Sequence, residues 1–141
     1  MADLRDFIFA EKENVERTLN SLDRVLSYTQ KNEDNLAAMA TYLHNFYNCI
    51  ENIMKKAILE FGRTVPKSDS WHKDLVDVAE LVGVISDNTK RQLKDYLAFR
   101  HFFIHSYSFM LEEQRLTQLA QNARSLWNEF YHELNSAFSL E

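Results

Sequence analysis

Two glycines, Gly62 and Gly83, and one proline, Pro66, are the only strong backbone breakers in a chain of 141 residues. A sheet-containing domain of this length needs a turn roughly every ten residues, and turns draw on glycine and proline for backbone angles that other residues adopt at a cost. The chain lacks that material, so it must be built from long helices with short polar connections: an all-α fold. A balance of 45% hydrophobic and 26% charged residues is that of a globular unit with one core, and the length suits a single domain over residues 1–141.

Helical spacing recurs along the chain. Over residues 4–29, Leu4, Phe7, Ile8, Val15, Leu19, Leu22, Val25 and Leu26 stand mostly three, four or seven apart, with charges between them. The polar run from Lys31 to Asn35 supplies caps for a second helix, whose stripe runs from Leu36 through Met39, Leu43, Phe46, Ile50 and Ile53 to Phe61 and stops at Gly62. Residues 62–70 form the only convincing loop. Ser70 is placed to cap a short third helix from Trp71 to Gly83, and Ser86 or Asp87 to cap a fourth. A fifth spans residues 113–138, through Leu116, Leu126, Trp127, Phe130 and Phe138. Five helices so connected predict an antiparallel bundle.

Cys49 is the single cysteine, so one chain cannot form a disulfide framework. Asp3, Arg5 and Asp6 interrupt the N-terminus too early for a signal peptide. The longest uncharged stretch, Asn35 to Ile50, falls short of the roughly 20 apolar residues of a spanning helix. A cytoplasmic, reducing location without membrane association is expected. The formal net charge of −5 opposes general affinity for nucleic acid. Between residues 90 and 107, however, Lys90, Arg91, Lys94 and Arg100 stand against Asp95 alone, with His101 and His105 added. That is where the chain would meet RNA.

This fourth helix is the unusual one. Arg100-His101-Phe102-Phe103-Ile104-His105-Ser106-Tyr107 sets an arginine, two histidines and a tyrosine inside an apolar run. Arginine keeps its charge and is mostly exposed unless paired, so its place beside Phe99, Phe102, Phe103 and Ile104 calls for a cleft or a partner. In helical projection, apolar side chains from Leu93 to Met110 fill most of the circumference and leave one lane of Lys90, Lys94, His101, His105 and Ser108. Such a lane is most simply satisfied by the same helix of a second subunit across a two-fold axis.

Histidine exchanges protons near neutrality, and arginine offers a fixed fork of donors to phosphate oxygens. Together they suit metal-free RNA cleavage, in which a base takes the ribose 2′-hydroxyl proton, the oxygen attacks phosphorus, and an acid protonates the departing 5′-oxygen. Two proton-transferring groups are needed. Arg100 and His105 lie about 140° apart in azimuth and about 7.5 Å apart along a helix axis, which favours a cleft between two copies over a tight site on one helix.

Arg100-x4-His105-x-Tyr107 resembles the Arg-x4-6-His signature of HEPN ribonucleases, and its His-x-Tyr extension is similar to HepT, the toxin of HEPN/MNT toxin–antitoxin pairs. The likeness covers essentially the whole chain. LAAMATYLHNFYNCIENIMKKA resembles that family's second helix, WHKDL from Trp71 its third, and LKDYLAFRHFFIHSYSF its fourth. The resemblance implies a HEPN-like homodimer acting as a metal-independent ribonuclease without cofactor. Arg100 and His105 would act on the scissile phosphate, with His101, Lys94 and Ser108 supporting them or binding RNA. It further implies a type VII system, in which an MntA-like nucleotidyltransferase antitoxin transfers AMP from ATP to Tyr107. The added phosphates would obstruct RNA and occupy Arg100.

Plainer roles stand beside these. Arg100 suits a structural ion pair with Glu112 or Asp95, and Tyr107 suits a core position with a bonded hydroxyl. His101 and His105, four apart, have the spacing of a zinc pair but no nearby carboxylate or cysteine to complete it. Glu129 and His132 have a di-iron spacing in one copy only, so a solvated face is expected. His44 and His72 read as satisfied core or capping histidines. Lys55, Lys56, Arg63 and Lys67 either extend an RNA track or remain solvated. The alternative function is a non-catalytic HEPN module that binds nucleotide or the nucleotidyltransferase through the same lane.

Overall fold

A computed structural model describes residues 2–105 and 112–141, the side chains of Ala2, Ile104 and His105 excepted. It contains helices α1 (Ala2–Leu26), α2 (Glu33–Glu60), α3 (Trp71–Leu81), α4 (Asp87–His105) and α5 (Glu113–Phe138), and no strand among the described residues. Among these residues no helix is long and apolar enough to cross a membrane.

The helix ends follow from local chemistry. Asn32 and Asn35 cap α2 reciprocally: the Asn32 side chain accepts the Asn35 N–H at 2.8 Å and the Asn35 side chain accepts the Asn32 N–H at 2.9 Å. Gly62 (φ 75°) and Gly83 (φ 88°) then reverse the chain beyond α2 and α3. The next residue's N–H reaches back five positions in each case, Arg63 to the Ile58 carbonyl and Val84 to the Ala79 carbonyl. This left-handed cap is what a side chain would strain. Helix α1 stops at Leu26, short of the expected 29, where the Ser27 hydroxyl donates to the Arg24 carbonyl at 2.6 Å and the backbone turns. Ser70 stands at the start of α3, but its hydroxyl bonds Asp74 Oδ2 at 3.2 Å and caps no backbone group.

Ser86 is the residue that caps α4, its hydroxyl accepting the Thr89 N–H at 3.2 Å. Glu133 of α5 clamps that corner. One carboxylate oxygen accepts the Ser86 N–H at 2.5 Å, and the other accepts the hydroxyls of Ser86 at 3.1 Å and of fully buried Thr89 at 2.6 Å. Because the clamp satisfies a buried hydroxyl and a helix start together, Glu133→Ala is expected to cost about 1–3 kcal/mol, read as a lower urea midpoint.

Contacts give the packing. Arg5 at the start of α1 donates to the Ser139 carbonyl beyond α5, while Arg124 of α5 pairs with Glu16 and Asp23 further along α1, so these two helices are antiparallel. Glu51 with His72 and Lys55 with Trp71 set α2 against α3 in the same sense, as do Asp77 with Lys94 and Glu80 with Lys90 for α3 and α4. The core lies between α1, α2, α4 and α5. Phe46 packs edge-on to Tyr96, whose hydroxyl donates to the Leu119 carbonyl at 2.6 Å, and Trp127 and Phe130 close it from α5.

Candidate functional site

Helix α2 carries His44, Tyr47, Asn48 and Glu51, with 44/47 and 48/51 three apart and 44/48 and 47/51 four apart, which stacks them on one face. That face meets Arg100 of α4 and His72 in the first turn of α3. Arg100 is half-buried. Its Nε donates to Asn48 Oδ1 at 3.2 Å, and its Nη1 approaches His72 Nε2 at 3.4 Å. On the other side of the same ring, His72 Nδ1 lies 2.7 Å from Glu51 Oε2, a carboxylate only 5% exposed. A carboxylate, an imidazole and a guanidinium thus stand in line across three helices.

Donor and acceptor counting fixes the proton positions. Arginine only donates, so in the Arg100–His72 hydrogen bond Nε2 of His72 is the acceptor, which assigns the ring proton to Nδ1, toward Glu51. Asn48 spends its oxygen on Arg100, so its amide nitrogen donates to His44 Nε2 at 3.1 Å. That puts the His44 proton on Nδ1, which is buried without a partner among the described residues, as is the Tyr47 hydroxyl. Burial, and then the Arg100 charge, holds His44 below the ordinary 6.5. Burial, reinforced by Glu51, raises the Tyr47 phenol far above its usual value. Both side chains are therefore neutral near pH 7.

His44 gives a pH signature. Around pH 6 the unfolded chain binds a proton at this residue that the folded chain does not, so the contribution to stability is present above the unfolded value and lost as pH falls below it. Urea midpoints measured between pH 7 and pH 5 are expected to fall less steeply for His44→Gln than for the parent.

The lane residues have different fates. Lys94 pairs with Asp77 at 2.8 Å, Lys90 with Glu80 at 3.0 Å and Arg91 with Asp87 at 2.8 Å. The local excess of positive charge is thus matched largely by carboxylates from α3. Arg100 is the exception: both hydrogen bonds go to neutral acceptors, and among the described residues it forms no salt bridge, with Asp95 and Glu112 included. His101 is exposed. Helix α4 is unbroken through His105, so Arg100 and His105 share one rigid rod, while the His105 side chain, Tyr107 and Ser108 lie outside the described residues.

Beyond the lane, Lys55 sits 4.3 Å over the Trp71 ring, which itself stacks 3.6 Å from His72, and Lys56 sits 5.7 Å from the Phe7 ring. Arg63 and Lys67 are not brought to Arg100 by any contact and lie exposed in the loop. Glu129 and His132 are both exposed on α5. Cys49 is half-buried and pushed up to about 12, chiefly by burial and then by Glu11, so its thiol stays protonated. Among the described residues no three or more His, Cys, Asp or Glu side chains converge as a metal would require. Asn48 also lines an open polar cleft of about 380 Å³ between α1 and α2, with Asn14, Arg17, Thr18, Asn45 and Asn52.

The sequence singles out Arg100 but not its setting. Asn48, Glu51 and His72 reach Arg100 or one another across 21 to 52 residues of sequence. His72, read as a core or capping histidine, is instead the link between a buried acid and the arginine. A signal was present: three polar residues, at 44, 48 and 51, interrupt the otherwise apolar stripe of α2 on one face.

Three solved structures share this architecture. A chain of a toxin–antitoxin crystal structure with AMP-PNP matches with a TM-score of 0.81 at 13% identity, over 93% of this chain and 98% of that one. A mutant of the toxin–antitoxin MntA-HpeT matches at 0.70 and 13% identity, over 95% and 98%. YutE, a cytosolic protein of unknown function from Bacillus subtilis, matches at 0.63 and 18% identity, over 91% and 90%. At these identities the likeness is one of fold. No curated protein matches the sequence. The model of a family described as HepT-like protein matches residues 38–139, from early α2 to just beyond α5, and takes in every residue around Arg100. With most of its length matched, the chain belongs to the HepT-like protein family.

Proposed function

We propose that this protein is a metal-independent ribonuclease toxin that acts as a homodimer, with Arg100 and His105 at the scissile phosphate. The observation that carries the reading is the state of Arg100. Its neighbours Lys90, Arg91 and Lys94 are matched by carboxylates, whereas its own guanidinium is held by Asn48 and His72, both neutral. A half-buried cation fixed in place, touched by no carboxylate among the described residues and with Glu51 held off behind the His72 ring, keeps donors for an anion, and a phosphodiester fits the fork. His105, one and a half turns on along the same helix, supplies a proton-transferring group. A two-fold copy of α4 brings a second Arg100 and His105 to the cleft.

Family membership and the two toxin–antitoxin neighbours support a paired antitoxin, and the AMP-PNP of the first neighbour supports one that uses ATP. In this reading an MntA-like nucleotidyltransferase silences the toxin by placing AMP on Tyr107, two residues from His105. Lys94 contacts RNA only by exchanging Asp77 for a phosphate, which keeps the footprint small and salt-sensitive.

The test is incubation of the purified toxin with ATP and an MntA-like enzyme, followed by intact mass and RNA cleavage. The expected result is one or more AMP increments, absent in Tyr107→Phe, with activity lost in step. Stable complex formation with the nucleotidyltransferase but no cleavage from unmodified protein would select the non-catalytic binding module.

A further inference from the structure

Metal-free cleavage needs two proton transfers, and His105 is one group per protomer. The structure holds a second candidate in the same chain. His72 has a carboxylate behind it at 2.7 Å and the phosphate-binding arginine in front of it at 3.4 Å. Its proton is on Nδ1, toward Glu51, and its Nε2 lone pair points at Arg100. This is the arrangement of an oriented base: a buried acid fixes the tautomer and steadies the imidazolium once it forms, while the other nitrogen faces the arginine that would hold the reacting phosphate.

We propose, resting on the ribonuclease reading above, that His72 is a proton-transfer group of this site and that Glu51 is its positioning residue. An oxygen of the scissile phosphate that accepts from Arg100 Nη1 lies within about two hydrogen-bond lengths of His72 Nε2, so the ribose 2′-hydroxyl is brought to the same nitrogen. As Nη1 turns to the phosphate, the Nε2 lone pair is freed. The 2′-hydroxyl proton passes to Nε2, the O2′–P bond forms and the P–O5′ bond breaks, and O5′ takes a proton from the His105 imidazolium. The products are a 2′,3′-cyclic phosphate and a 5′-hydroxyl. His72 leaves the step as an imidazolium between Glu51 and the phosphate, and both histidines are reset by exchange with water.

Among the described residues the charged groups set against His72 are Glu51 on α2 and Arg100 on α4, with Lys55 beyond the Trp71 ring, while His44 and Tyr47 share the α2 face that carries Glu51. A pH–rate profile in EDTA therefore reads it well. His72→Gln keeps a side-chain oxygen that can accept from Nη1, so it preserves the placement of Arg100 while removing proton transfer. The expected result is a fall in kcat of about 100-fold or more, KM within about twofold of the parent, and loss of one limb of the profile. Glu51→Gln, which keeps size and hydrogen bonding, is the second variant and is expected to lower kcat about tenfold or more with a changed profile. Thermal midpoints of both confirm that folded protein is compared. A parent that cuts, with a His72→Gln variant of unchanged profile shape, overturns this inference alone, as does a rate within threefold of the parent. A parent that leaves RNA intact overturns the ribonuclease reading and this inference with it.

Discussion

Replacing Arg100 with alanine is expected to lower RNA cleavage by about 10³-fold or more, the scale on which a fixed cation stabilises charge growing on a transferring phosphoryl group. The reason lies in its mounting. Nε is tethered to Asn48 and Nη1 rests against His72, so the guanidinium is placed before substrate arrives and only Nη1 has to exchange its partner for the phosphate. Arg100→Lys keeps the charge but cannot hold Asn48 and grip a phosphate at once, and it is expected to recover only a minor part of the rate. The cost to stability is small by comparison, about 1 kcal/mol for two partly buried neutral acceptors left unmade. Single-turnover kinetics paired with thermal melts separate the two effects. A variant that cuts within tenfold of the parent would remove Arg100 from the chemistry.

Trp127→Ala is expected to be the most damaging core substitution. Trp127 is 2% exposed and packs on Phe130 and Tyr131, with ring centroids 6.0 and 5.7 Å away, where α5 closes the bundle. Truncation removes the largest fully buried side chain and leaves a void in the packed core. The cost is about 3–5 kcal/mol, seen as a fall of about 10–20 °C in the thermal midpoint. A fall of less than about 5 °C would mean that α5 is docked more loosely than its burial indicates.

The helices were legible because their signals are local. Gly62 and Gly83 mark ends through the angles only glycine adopts cheaply, Asn32 and Ser86 mark starts, and the apolar stripes of α1, α2 and α5 name their own buried faces. Where a competing local bond exists, the expectation slips: Ser27 turns the chain before 29, and Ser70 prefers Asp74 to the backbone. The site was legible only in its first half. An arginine and two histidines in an apolar run are conspicuous in one dimension, but the acids that neutralise Lys90 and Lys94, and the Glu51–His72 pair behind Arg100, come from other helices. Pairing across helices depends on register between rods, and no local pattern encodes that register.

In the proposed reaction, RNA is cut by this protein's own histidine and arginine without metal. Its most direct test is cleavage of a total RNA pool in EDTA by the purified protein, freed of any antitoxin and unmodified at Tyr107 by mass, beside its His105→Ala variant. The expected result is cutting by the parent that leaves 2′,3′-cyclic phosphate ends and is lost in the variant. Equal cutting by both, or an intact RNA pool with unmodified parent protein, would contradict it.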